Sequence, residues 1–266
     1  FLKLIIFKMM NKIKKILKKK NKKKIICLTA YSKNFAQILD NYTDIILVGD
    51  SLGSVLYNYN TTRKVSLNTM IEHAKSVRVG IKKSLMVVDM PYQTYRNKNE
   101  ALINAKKILK LTKADAVKLE GGGEIINVIK YLTSKNISVM GHLGLLPQSV
   151  KGKFKFKGKK KSERKRLLSD AKLLESKGVF SIVLECIETS LSKEITNKIN
   201  IPTIGIGSSA NCDGQILVTD DVLGLNDTNI KFVKKFVDLK KNIRYGIKKF
   251  RSDILSKKYP TKKYSY

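Results

Sequence analysis

The sequence predicts a single α/β domain folded as a (β/α)8 TIM-type barrel, and three observations carry that expectation. Eight short apolar runs, most of them rich in β-branched residues, recur from residue 24 onward. Amphipathic stretches with helical spacing lie between them, the alternation that builds a parallel sheet from βαβ units. No GxGxxG follows the first run, so nothing marks the open, dinucleotide-binding alternative.

In chain order the runs cover residues 25–29, 45–48, 85–88, 116–119, 137–140, 181–184, 203–206 and, more weakly, 215–218. They are near-continuously apolar rather than alternating, as strands buried on both faces of a parallel sheet are. Between them, residues 100–111 place Ala101, Ile103, Ala105, Ile108 and Leu109 at helical spacing among lysines. Residues 166–177 do the same with Leu167, Leu168, Ala171, Leu173 and Leu174. Seven or eight such units suit a closed barrel, and 266 residues suffice for one.

The flanks read differently. Residues 1–23 are expected to be a basic, disordered arm, with Met9 or Met10 as the true start; residues 24–257 form the barrel; residues 258–266 are a polar tail. The lysine-rich stretch 151–165 is expected to be a loop over one barrel end.

The formal net charge of +33 is not read as the function. Only 7 of the 54 basic residues are arginine, whereas nucleic-acid readers favour the bidentate guanidinium fork. The lysines are spread along the whole chain, so no specific nucleic-acid partner is expected. Cys27, Cys186 and Cys212 show neither CxxC nor Cys/His spacing, which excludes a zinc pattern and points to a reducing cytoplasm. No apolar run is long enough for a membrane span.

The functional signal is positional: run after run ends in a group that can do chemistry. The second is followed by Asp50 and Ser51, the third by Asp89, the fifth by His142 and the sixth by Glu185; the fourth contains Lys118 and ends at Glu120. In a parallel barrel all these ends meet at one rim, where barrel active sites are built. A lone acid after a strand is as often a helix cap, so the weight rests on the coincidence. Asp50, Asp89 and Glu120 are hard oxygen donors suited to magnesium. Such an ion could chelate a 2-oxo acid and stabilise its enolate. Lys118 shares a strand face with Glu120 and could pair with the substrate carboxylate. Glu185, ending a wholly apolar run, is the candidate base; His142 takes a weaker, orienting role.

These residues lie in stretches that resemble the ketopantoate hydroxymethyltransferase family. The matching pieces are Leu28-Thr29-Ala30-Tyr31, Leu47-Val48-Gly49-Asp50-Ser51-Leu52-Gly53 and Asp89-Met90-Pro91-Tyr92 with Tyr95. Next come Val117-Lys118-Leu119-Glu120-Gly121-Gly122, Gly141-His142-Leu143-Gly144-Leu145 with Pro147-Gln148-Ser149, and Leu184-Glu185-Cys186. Ile201-Pro202-Thr203-Ile204-Gly205-Ile206-Gly207 and Asp213-Gly214-Gln215-Ile216-Leu217-Val218 complete the series, in order, between about residues 24 and 257.

The resemblance implies a barrel assembling as a homo-oligomer, typically a decamer. It implies transfer of a hydroxymethyl group from 5,10-methylenetetrahydrofolate to 3-methyl-2-oxobutanoate, giving 2-dehydropantoate through a magnesium-stabilised enolate. By the same resemblance Asp50, Asp89 and Glu120 serve the Mg2+, while Asp50, Ser51, Asp89 and Lys118 contact the oxo acid. Glu185 is the proton acceptor. The chain departs from the family pattern at Gly207-Ser208-Ser209-Ala210, in the loop after Ser149, and at Asn58 and Lys64. A lyase or mutase of the same barrel group is the rival reading; it needs a reactive cysteine in a loop after an early strand, and none is found.

Overall fold

The apolar runs pair as eight parallel strands that close on themselves, β1 against β8, in the order β1-β2-β3-β4-β5-β6-β7-β8. The computed structural model describes residues 2–149, 156–227 and 230–266, with side chains from residue 10 onward. The strands are β1 (Ile25–Thr29), β2 (Ile45–Val48), β3 (Leu85–Asp89), β4 (Ala116–Glu120), β5 (Val139–Gly144), β6 (Ser181–Glu185), β7 (Thr203–Ile206) and β8 (Gly214–Leu217). The helices are α1 (Leu2–Leu17), α2 (Lys33–Leu39), α3 (Leu52–Tyr57), α4 (Leu67–Gly80), α5 (Lys98–Thr112), α6 (Ile126–Ser134), α7 (Lys161–Ser176), α8 (Thr189–Lys198), α9 (Thr219–Val222) and α10 (Leu239–Leu255).

Period two along each strand divides the core into two bodies. Ile46, Val48, Met86, Val88, Val117, Leu119, Ile182 and Leu184 face outward and pack with the apolar sides of the helices. Ile45, Leu47, Leu85, Val87, Ala116, Met140 and Val183 face inward and fill the lower barrel. The barrel interior is therefore packed side chains rather than a pore.

Three expectations are corrected. Within the expected disordered arm 1–23, the described residues 2–23 are ordered instead: α1 runs from Leu2 to Leu17, and its Ile13 and Ile16 join the inward core. The lysines here find partners at the amino ends of the strands. Lys12 Nζ reaches Ser84 O at 2.8 Å, Lys19 pairs with Asp44 at 2.5 Å, and Lys20 pairs with Asp213 at 2.9 Å. α1 thus stoppers the barrel end opposite the carboxyl rim. Second, the chain does not form one unit to residue 257. The barrel belongs to a compact unit ending at Val218, and Thr219–Tyr266 forms another. In that second unit Phe236 N–H donates to Val222 O and Leu239 N–H to Leu223 O, both at 2.9 Å. Third, the stretch 151–165 is not one loop, because α7 begins at Lys161; residues 150–155 lie outside those described.

Candidate active site

The rim chemistry continues the inward-facing series of each strand by one more step. Asp89 follows Leu85 and Val87 on β3; Lys118 and Glu120 follow Ala116 on β4; His142 follows Met140 on β5; Glu185 follows Val183 on β6. Strand register then fixes neighbours: Asp89 is paired with Lys118, and Glu120 with His142. Asp50 stands just beyond β2, and its backbone N–H donates to Asp89 Oδ2 at 3.0 Å. Gly49 makes that approach possible, since a Cβ there would lie 2.9 Å from Ser51 Oγ and 3.5 Å from Asp89 Oδ2.

None of the acids is a helix cap. Asn97 caps α5 and Glu188 caps α8, each through its side chain, while Ser51 before α3 makes no capping bond. Ser51 Oγ instead shares a 2.8 Å hydrogen bond with Tyr31 Oη. All the sequence-predicted residues, Asp50, Ser51, Asp89, Lys118, Glu120 and Glu185, therefore come to one mouth.

The charges there are crowded and dry. Asp50, Asp89, Lys118, Glu120 and His142 are all buried. Lys118 Nζ lies 2.9 Å from Asp89 Oδ1 and 3.3 Å from His142 Nδ1. Burial alone would lower the Lys118 pKa, but Asp89, Glu120 and Asp50 outweigh it and hold the ammonium charged, with its pKa above the ordinary value. Burial, reinforced by the charge of Asp89, pushes Asp50 up to about 7. Burial also raises Glu120 well above the usual carboxylate range, despite Lys118. His142 is driven the other way, first by burial and then by Lys118, so its ring is neutral. With Lys118 donating to Nδ1, the ring proton belongs on Nε2, which faces Glu185 Oε2 at 3.2 Å.

Two residues that sequence reasoning treated only as pieces of motifs complete the network. The Gln148 amide nitrogen donates to Asp50 Oδ2 at 2.8 Å, and its backbone N–H donates to Glu120 Oε2 at 3.0 Å. Tyr95 Oη donates to the Gln148 carbonyl oxygen at 2.6 Å. Both residues sit in the loops that follow strands, Tyr95 six residues past β3 and Gln148 four past β5, rather than at the strand ends themselves.

A divalent cation can be tested against these side chains. Among the described residues no three of His, Cys, Asp and Glu are gathered tightly enough to form a ready cage. Magnesium does not need one: it takes one or two carboxylates and completes its shell with water and substrate. Asp50 and Asp89 offer that pair. Asp89 Oδ1 has the Lys118 ammonium 2.9 Å away, and a cation would relieve the repulsion that remains between the two acids. The residues present fit the ion.

A parallel barrel with buried ionisable groups concentrated at its carboxyl mouth is the arrangement in which barrel enzymes build their active sites. Comparisons narrow this. Residues 10–262 match the model of ketopantoate hydroxymethyltransferase. The 3-methyl-2-oxobutanoate hydroxymethyltransferase of Pelagibacter ubique (strain HTCC1062) is 61% identical over 258 residues, covering 97% of this chain and 100% of that one. The same-named protein of Helicobacter pylori (strain ATCC 700392 / 26695) is 45% identical, covering 93% of each. The chain belongs to the ketopantoate hydroxymethyltransferase family and is a transferase. Its fold is shared at low identity with phosphonopyruvate hydrolase (TM-score 0.64, 10% identity, 95% of this chain and 93% of that one). It is shared likewise with a 2,3-dimethylmalate lyase (TM-score 0.61, 11% identity, 92% and 88%). Among the described residues, no helix is long and apolar enough to cross a membrane.

Proposed function

We propose that this chain transfers a hydroxymethyl group from 5,10-methylenetetrahydrofolate to 3-methyl-2-oxobutanoate, forming 2-dehydropantoate for pantothenate synthesis. The observation that carries the reading is the convergence of Asp50, Asp89, Lys118, Glu120, His142 and Glu185 on one barrel mouth. Asp50 and Asp89 would hold Mg2+, with Glu120 beside them. Bound there, the ion would draw charge from the keto oxygen of the substrate.

The chain's own residues divide the remaining work. Lys118 supplies the positive charge that receives the substrate carboxylate, next to Ser51 and the two acids. Glu185 takes the C3 proton: its side chain is 14% exposed, against 4% for Asp89 and 2% for Glu120, so it alone of these three reaches the open mouth. The electron pair left at C3 forms the new bond to the one-carbon unit, one water supplies the hydroxyl oxygen, and both carbon–nitrogen bonds to the folate break. The C3 proton and the other hydrogen of that water end on the two folate nitrogens as tetrahydrofolate leaves. Burial of the remaining groups keeps water from quenching the charged substrate.

A homo-oligomer, by resemblance a decamer, belongs to the same proposal. Ile243, Ile247, Phe250 and Ile254 line α10 at helical spacing and are each at least 43% exposed, a surface that calls for cover. Sedimentation velocity reads the assembly directly. A cytoplasmic setting accords with the three free cysteines.

The test is hydrogen exchange at C3 of 3-methyl-2-oxobutanoate, followed by NMR in D2O without folate. Exchange should need Mg2+ and fall at least about 100-fold in Glu185→Gln, the usual scale for a lost general base. Exchange that persists unchanged in the variant removes Glu185 as the base.

A further inference from the structure

We infer that Gln148 is a positioning residue for the cation site, locked in one orientation by Tyr95, and that it presents Asp50 to the ion. The inference rests on the reading of Asp50 and Asp89 as the cation's ligands and adds residues to which that reading assigns no role.

The argument is one of hydrogen-bond accounting. Gln148 is buried, so each polar atom of its side chain must be satisfied within the protein. Its amide nitrogen has two protons, and two acceptors stand at hydrogen-bonding distance: Asp50 Oδ2 at 2.8 Å and Met90 O at 3.0 Å. Its carbonyl oxygen faces the Tyr95 hydroxyl at 2.6 Å. Flipping the amide would set its oxygen against the Met90 carbonyl, an acceptor with no proton to share, and against the Asp50 carboxylate. The Tyr95 hydroxyl carries one proton and donates it to the Gln148 carbonyl oxygen. The orientation is thereby unique.

The consequence falls on Asp50. One of its oxygens is held by Gln148, which fixes the carboxylate plane and leaves the other oxygen for a ligand. The Gln148 backbone N–H meanwhile holds Glu120 Oε2 at 3.0 Å, so a single residue sets both acids. A carboxylate restrained in this way binds a cation without first losing rotamer freedom.

The experiment is a double-mutant cycle on the full chain, read by Mn2+ binding in EPR without substrate. Gln148→Met keeps the side-chain length and removes both amide bonds; Tyr95→Phe removes only the hydroxyl. Gln148→Met should weaken Mn2+ binding about tenfold and Tyr95→Phe about threefold. The double variant should be no weaker than Gln148→Met alone, because Tyr95 acts only through Gln148. Tyr95→Phe, the milder change, carries the test if Gln148→Met does not fold. Wild-type affinity in both single variants, or additive losses in the double, overturns the proposal. Asp89→Asn separates the two readings. If it loses Mn2+ while the Gln148 and Tyr95 variants bind normally, the cation site stands and the positioning role falls. If it binds Mn2+ like the wild type, both fall.

Discussion

Asp89 and Lys118 are register partners across β3 and β4, and their side chains form a buried ion pair, Nζ to Oδ1 2.9 Å. The pair is a product of the pleat: paired residues of adjacent parallel strands point to the same face, here inward and one layer above the apolar plug. Lys118 also faces Glu120 and Asp50, so it is the local counter-charge for three acids.

Removing that charge should therefore destabilise the metal-free protein. Lys118→Met is expected to cost about 3–5 kcal/mol in urea unfolding at neutral pH, the scale of a broken buried pair. The double variant with Asp89→Asn should recover part of the loss, since one uncompensated carboxylate goes too. A Lys118→Met protein as stable as wild type would mean that the three acids are already neutral.

His142 makes a second prediction, about the rate. Its Nε2 is buried without a partner in hydrogen-bonding geometry, yet Glu185 Oε2 lies 3.2 Å away. A small movement of Glu185 onto its substrate would complete or break that contact. A hydrogen bond to a charged group is worth about 1.5–3 kcal/mol, or roughly 10- to 100-fold in rate. His142→Gln should slow C3 exchange by that factor while Mn2+ affinity stays within about twofold. Loss of Mn2+ binding instead would place His142 with the cation rather than with the base.

How much of this was legible follows from what burial does to sequence. Strands buried on both faces become continuous apolar runs, so β1 to β4, β6 and β7 could be read almost to the residue. The candidate site was legible for a related reason: charged groups that end one such run after another are brought by the parallel strands to one mouth. β5, expected over 137–140, starts two residues later and ends four later, because Gly141, His142 and Gly144 disguise its second half. Gln148 and Tyr95 were invisible as chemistry, since their roles rest on partners such as Asp50, whose distance in sequence no local pattern encodes. α1 was misread for the opposite cause. Lys12 in the helix and Lys20 just after it looked like parts of a solvated arm because their partners, Asp115 and Asp213, lie more than 100 residues away.

That helix carries the third prediction. Ile16 is 3% exposed and packs with the inward core at the amino end of the barrel. Ile16→Ala should cost about 2–5 kcal/mol in unfolding experiments, as for other truncations in a closed core. The substitution lies at the end opposite the site, so kcat should hold at temperatures where the variant remains folded. A change below about 0.5 kcal/mol would return α1 to the status of a free arm.

The fourth concerns pH and sits away from the mouth. Asp40 closes the turn that leads into β3, accepting the backbone N–H groups of Lys82, Lys83 and Ser84 at 2.8–3.0 Å. Burial acts to raise its pKa, but these donors, with the Ser84 hydroxyl, outweigh it and hold the carboxyl below its usual value. A depressed folded value means that the unfolded chain binds the proton more readily, so the carboxylate's contribution is complete above the unfolded value of about 3.9. It is lost as pH falls further, through the folded value. Asp40→Asn turns an amide nitrogen toward backbone donors and should cost about 1–3 kcal/mol at pH 7. The difference from wild type, followed by urea unfolding, should stay level down to about pH 4 and shrink below it. A difference that stays level through that acid range would show that the turn depends on the shape of the side chain and not on its charge.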